Sequence, residues 1–129
     1  MIGYATLGSN DPARAHVLYD AVFGAVCTGR IVTLRNGAVT WRRSWDQPMI
    51  AVGVPHDGGT ATAGNGTMRT VVMGSRAKVD TMHAAAIATG CADEGVPGIR
   101  GVDRPQAFYG AWFRDPGGNK LCAFRVGPA

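Results

Sequence analysis

The sequence predicts an α+β fold built from two βαβββ modules, and three observations predict it. The chain repeats itself: at a shift of 64 positions Tyr4 meets Met68, Leu7 meets Val71, and the helix-like ARAHVLYDAVFG from Ala13 meets AKVDTMHAAAIA from Ala77. Each copy opens with a short β-prone run, passes through one helical segment with its own start and stop signals, and continues into further strand-like runs. The composition suits a packed domain, since 46% of the 129 residues are hydrophobic and only 17% are charged.

In order along the chain, Ile2 to Leu7 reads as the first strand. Asp11 is placed to cap a helix whose first position is Pro12, where a missing N–H costs nothing, and Gly24 suits the left-handed residue that ends it. Ala15, Leu18, Val22 and Phe23 recur at spacings that make one apolar helix face. Arg30 to Leu34, Val39 to Trp45 and Met49 to Val54 are strand-like and complete the first copy. His56 to Gly66, rich in Gly and Thr, reads as a linker, because it lacks the glycine spacing of a phosphate loop and no helix follows at once.

The second copy begins at Met68 to Met73, and Ser75 and Gly90 take the cap and terminator parts. Phe108 to Arg114 and Asn119 to Val126 are its clear later strands, joined by Asp115-Pro116-Gly117-Gly118, a tight-turn sequence. The strand between Glu94 and Arg104 is poorly marked, and Pro97 and Gly98 suggest an edge or irregular segment. In these strands the shift grows to about 72, which sets Trp41-Arg42-Arg43 near Trp112-Phe113-Arg114 and Ile50 near Cys122. The expected organisation is one domain over 1–129, with module 1 at about 1–55, a linker at about 56–66 and module 2 at about 67–127.

Several function classes are disfavoured. The net charge of +4 invites a nucleic-acid reading, but the arginines are scattered in ones and twos and form no basic stripe, so no nucleic-acid partner is expected. Cys27, Cys91 and Cys122 are odd in number and lack CxxC spacing, which argues for free thiols rather than disulfides or structural zinc. With no secretory-type start and no long apolar run, the expected setting is the cytoplasm, without a membrane partner.

The βαβββ order twice over, with Gly64-Asn65-Gly66-Thr67 before the second module and FRDPGGNKL from Phe113 near the end, resembles the vicinal-oxygen-chelate superfamily of glyoxalases, bleomycin-resistance proteins and dioxygenases. The resemblance covers essentially the whole chain and is nearest to the small glyoxalase-like members. It implies curled mixed sheets that enclose a pseudo-twofold cleft, and it implies a homodimer. It also implies metal ligands, usually His on the first strand and Glu on the last strand of each module. Carried over, those places hold Tyr4, Ile50, Met68 and Cys122. This set does not suit a hard or borderline divalent ion, which wants carboxylate and imidazole, so neither metal nor other cofactor is expected. The histidines do not replace it: His16 and His83 fall on helices, His16 with Asp20 as a solvated pair, and His56 falls in the linker.

Alternation along the strands extends the expected pocket to Thr6, Thr70 and Phe124, and sends Leu7, Val71, Leu121 and Ala123 toward the helices. Trp41 and Arg43 from one module and Trp112 and Arg114 from the other join the set as two Trp–Arg pairs, unless these Trp are core and these Arg solvated. Such a cavity suits a small flat or apolar ligand that carries an anion. Two functions stay open. One is a metal-free binding module of the bleomycin-resistance type. The other is a lyase, isomerase or dioxygenase, lactoylglutathione-lyase-like or dioxygenase-like, using a metal held elsewhere, or Tyr4 or Cys122 without one.

Overall fold

In the computed structural model, residues 2–128 are described. The elements are β1 (Tyr4–Gly8), α1 (Pro12–Gly24), β2 (Gly29–Thr33), β3 (Val39–Arg42), β4 (Met49–Gly53), β5 (Arg69–Val72), α2 (Arg76–Ala88), β6 (Ala92–Arg100), β7 (Phe108–Arg114) and β8 (Lys120–Val126). They form two four-stranded mixed sheets of the same plan, ordered β1-β4-β3-β2 and β5-β8-β7-β6. In each, the first strand pairs parallel with the last and the remaining neighbours run antiparallel. The expected α+β fold of two βαβββ modules is therefore the observed one.

Both helices start as the sequence predicts. The Asp11 carboxylate accepts from Arg14 N–H at 3.1 Å, and the Ser75 hydroxyl accepts from Lys78 N–H at 3.3 Å. They end differently. Gly90 takes the left-handed conformation at φ +98°, and Cys91 N–H then reaches back to the Ala86 carbonyl at 3.0 Å. After α1 the left-handed residue is Cys27, at φ +62°, with Thr28 N–H bonded to the Phe23 carbonyl. Gly24 is not the terminator, because the first copy runs one residue further before it turns. Cys27 thus corresponds to Gly90, not to Cys91.

One apolar core serves both modules. Leu18, Tyr19, Val22 and Phe23 of α1, Trp41 of β3, Val79 and Met82 of α2, Phe113 of β7 and Leu121 of β8 belong to a single buried cluster. Leu7, Leu121 and Ala123 are almost fully buried in the positions that alternation gave them, facing the helices. The junction is also polar. The buried Asp115 carboxylate accepts from the Tyr19 hydroxyl at 2.7 Å and from the Asn119 amide at 2.9 Å, and that amide also donates to the Gly8 carbonyl at 3.0 Å. Burial and the neighbouring Asp115 push the Tyr19 phenol far above its ordinary range, so it stays a donor. The DPGG segment is a hairpin turn between β7 and β8, closed by Asp115 N–H to the Asn119 carbonyl at 3.0 Å with Gly118 at φ +90°.

β6 is an edge strand carrying two register shifts, which accounts for its faint pattern around Pro97 and Gly98.

Candidate functional site

The face of each sheet turned away from the helices is open, and on the second sheet it is aromatic. Register places Thr70, Cys122 and Trp112 in one row across β5, β8 and β7, and Val72, Phe124 and Gly110 in the next. Alternation adds Phe108 and Arg114 to the same face, while Phe113 and Leu121 turn under α2. The Phe108 and Phe124 rings stack at 5.2 Å and 8°, and Phe108 and Trp112 lie 6.1 Å apart at 28°. Three glycines leave room for these rings and for the Arg100 side chain beside them. A Cβ at Gly110 would stand 2.6 Å from the Phe108 ring, one at Gly95 would stand 3.0 Å from the Trp112 ring, and one at Gly98 would stand 3.2 Å from the Arg100 guanidinium. Arg100 closes the stack, its guanidinium carbon 4.6 Å from the Trp112 ring centroid.

Charge is arranged around that floor. Glu94, the bulged residue of β6, takes Arg114 Nε on one oxygen at 2.5 Å and Lys120 Nζ on the other at 2.7 Å. Those bonds, Lys120 first, hold its carboxyl below the usual carboxylate range. Arg114 also donates to the Gly118 carbonyl at 2.8 Å, so it is fixed on both sides. Arg100 makes a single hydrogen bond among the described residues, to the Val96 carbonyl at 3.1 Å. Cys122 is 1% exposed beneath the aromatic rings, and burial pushes its thiol up.

Among the described residues the open face of the first sheet has no aromatic cluster, and beyond Tyr4 and Met49 its residues are small. Tyr4 and Thr6 stand on it beside Met49 and Ala51, and Ala38 and Gly53 close the row. With linker residues including His56 and Asp57 this face bounds a cavity of about 420 Å³. The linker is held down by Asn10, whose side-chain amide exchanges two bonds with the Ala61 backbone at 2.7 and 3.1 Å.

Thr6, Thr70, Trp112, Arg114, Cys122 and Phe124 lie on open faces as the sequence suggests. Tyr4 and Met68, 54% and 41% exposed, sit at the open mouth. Three expected pocket residues leave the open faces and line instead a cavity of about 210 Å³, which they share with Thr70. Trp41 is 1% exposed on the helix side, packed between Tyr19 and Phe23 at 5.9 Å from each ring. Ile50, its register partner, shares that side and packs against the core. Arg43 follows the end of β3 and reaches that same cavity beside Gln47 and Pro48. The cause is a small alignment error. Trp41 pairs with Ile50 as Phe113 pairs with Leu121, so the shift is 72 between β3 and β7 but 71 between β4 and β8. A one-residue slip turns a strand over. His16 is corrected as well: its ring meets the Val52 carbonyl at 3.0 Å, and Asp20 instead takes Arg30 and the Trp41 indole.

No family model matches the chain, and no curated protein matches it. Solved structures do. A glyoxalase/bleomycin resistance protein from Albidiferax ferrireducens is 32% identical, with a TM-score of 0.85 over 97% of this chain and 98% of that one. The chain belongs to the glyoxalase/bleomycin resistance family. At lower identity the fold alone recurs. A family enzyme from Burkholderia phytofirmans is 19% identical, with a TM-score of 0.71 over 96% of this chain and 97% of that one. A lactoylglutathione lyase from Agrobacterium tumefaciens is 20% identical, with a TM-score of 0.65 over 97% and 92%.

Of the four metal positions carried over from the family, Tyr4, Ile50, Met68 and Cys122, Ile50 stands on the helix side. Thr6 with Ala51, and Thr70 with Cys122, face each other across the paired first and last strands of the two modules. Tyr4 and Met68 lie near the starts of the first strands. Hydroxyls, a phenol, a thioether and one thiol with a raised pKa are a poor donor set for a divalent ion, and among the described residues no group of three His, Cys, Asp or Glu is placed to hold one. These residues do not fit the divalent metal that the family resemblance implies.

Phe108, Arg100 and Glu94 escaped the sequence reading. Phe108 was within reach, four residues before Trp112 on one strand and therefore on one face. Arg100 and Glu94 lie on the irregular β6, whose two register shifts hide which side each residue takes.

Proposed function

We propose that this glyoxalase/bleomycin-resistance-type protein binds a small organic ligand on the open face of its second sheet and does so without a divalent metal. The observation that carries the reading is the Phe108–Trp112–Phe124 floor, three aromatic rings on the face that the core does not use. A core would have covered them; a ligand site leaves them available. Thr70 and Cys122 complete the lining, and Tyr4, Thr6 and Met68 border it.

The two modules and the linker act as one unit of about 1–129. Homodimerisation fits the apolar side chains near the inner edge of the sheets, Tyr4, Met68 and Val72 at 54%, 41% and 69% exposed, which a second copy would cover. Free thiols and the lack, among the described residues, of any helix long and apolar enough to cross a membrane accord with a cytoplasmic setting.

Titration of isotope-labelled protein with a library of small organic acids tests the site. Amide shifts clustered on Thr70, Trp112, Cys122 and Phe124 are expected. Shifts confined to the first sheet's cavity would refute the placement, and stoichiometric divalent metal in protein purified without chelator would refute the metal-free assignment. Sedimentation should give twice the 13.5 kDa chain mass.

A further inference from the structure

We propose that Arg100 is the specificity-determining residue of this face, and that the Arg100–Trp112 stack selects a planar aromatic carboxylate over a neutral molecule of the same shape. The inference rests on the aromatic face being the ligand site, and it adds the residue that reads the ligand's charge and the chemical class that follows.

Three cations and one carboxylate border the rings, and they are not equivalent. Arg114 is committed to Glu94 and to the Gly118 carbonyl, and Lys120 is committed to the other Glu94 oxygen. A guanidinium has five N–H donors, and Arg100 uses one of them, on Val96. Its remaining donors lie in the plane of the group, whose carbon stands 4.6 Å from the Trp112 ring centroid. An anion that meets those donors side-on makes two parallel charge-assisted bonds. The rest of such a ligand must then lie beside the stack, where the next surfaces are the Phe108 and Phe124 rings, tilted by only 28° and 8° from their neighbours. A flat ring system with its carboxylate at one edge fits that sequence of surfaces, and a bulky or saturated acid does not.

The geometry of β6 supports a dedicated role. Gly95 and Gly98 stand under Arg100 and Trp112, and a Cβ at either would press on the guanidinium, at 3.4 and 3.2 Å. The two bare positions leave room for the guanidinium to lie close over the strand beside Trp112. Glu94 has the complementary effect: by holding Arg114 and Lys120 it leaves Arg100 as the cation with donors to spare.

The test uses 2-naphthoate and 2-naphthamide, which share a shape and differ in charge, with the Trp112 indole N–H resonance as the reporter. The unmodified protein is expected to bind naphthoate about tenfold more tightly than naphthamide, the size of one charge-assisted contact. Arg100→Gln should weaken naphthoate alone and bring the two affinities together, while Arg104→Gln, on the neighbouring loop, should keep the ratio. Arg100→Lys keeps the charge but loses the planar fork, and should recover only part of the preference. Equal affinities in the unmodified protein, or a ratio unchanged by Arg100→Gln, would overturn this assignment while leaving the aromatic face as a site. If neither probe at millimolar concentration moves the Trp112 resonance, the site reading falls with it.

Discussion

The two open faces share a backbone plan and hardly a side chain. On the first sheet Thr6, Ala38, Ala51 and Gly53 line the face, and a Cβ at Gly53 would run within 2.7 Å of Ala38. The second presents Phe108, Trp112 and Phe124, with Arg100 on top. Each module also owns a tryptophan on its third strand, and the pair teaches the general point. Trp41 corresponds to Phe113, not Trp112, and that single step along the strand makes one tryptophan core and the other surface.

The largest effect that could break this contrast is the truncation of each. Trp41→Ala should cost about 3–5 kcal/mol in urea unfolding, because it empties a site packed by Tyr19 and Phe23. Trp112→Ala should cost less than half as much, and comparable losses would erase the distinction between core and site.

Next in size is the junction between the halves. Tyr19→Phe removes one donor from the buried Asp115 carboxylate and should cost about 1–3 kcal/mol, measured the same way. A neutral result would mean that this hydrogen bond adds nothing to the junction.

The helix ends sharpen the comparison. Cys27 occupies with a side chain the left-handed position that its counterpart fills with Gly90. Cys27→Gly should therefore raise the melting temperature, and Gly90→Ala should lower it, each by the equivalent of about 1 kcal/mol.

The smallest effect is electrostatic and belongs to the second module. The Glu94 carboxyl is held below its unfolded value by Lys120 and Arg114. Its contribution is thus present above the unfolded pKa of about 4.3 and is lost as the pH falls through the lower folded value. Glu94→Gln should be less stable than the parent at neutral pH, and the two unfolding curves should converge as the solution is acidified.

Much of the fold was legible because each element carried two independent signals. α1 and α2 have caps as well as periodicity, and the repeat tied each weak strand of one copy to a stronger one in the other. The faces taken by Trp112, Cys122 and Phe124 were legible because β7 and β8 are seven residues each with an unbroken register. Trp41, Arg43 and Ile50 were misread because β3 and β4 are short and the repeat fixes their position only to within one residue, the same interval that separates core from surface. Tyr19 was missed as a core residue because its partner, Asp115, lies 96 positions away and no local pattern announces it. Arg100 and Glu94 were hidden by the bulges of β6, which break the alternation that would have assigned them.

The common core has a consequence for what the covalent chain is needed for. If α1 and Phe113 lie in one cluster and Asn119 grips the Gly8 carbonyl, the stretch between the modules serves mainly as a tether. A tether of that length holds its ends at an effective concentration in the millimolar range. A protein nicked by a protease between Gly58 and Gly59 should therefore stay assembled and elute as one species, and two fragments expressed separately should find each other and fold together. The peptide bond there governs how readily the halves meet, while their side chains govern whether they stay.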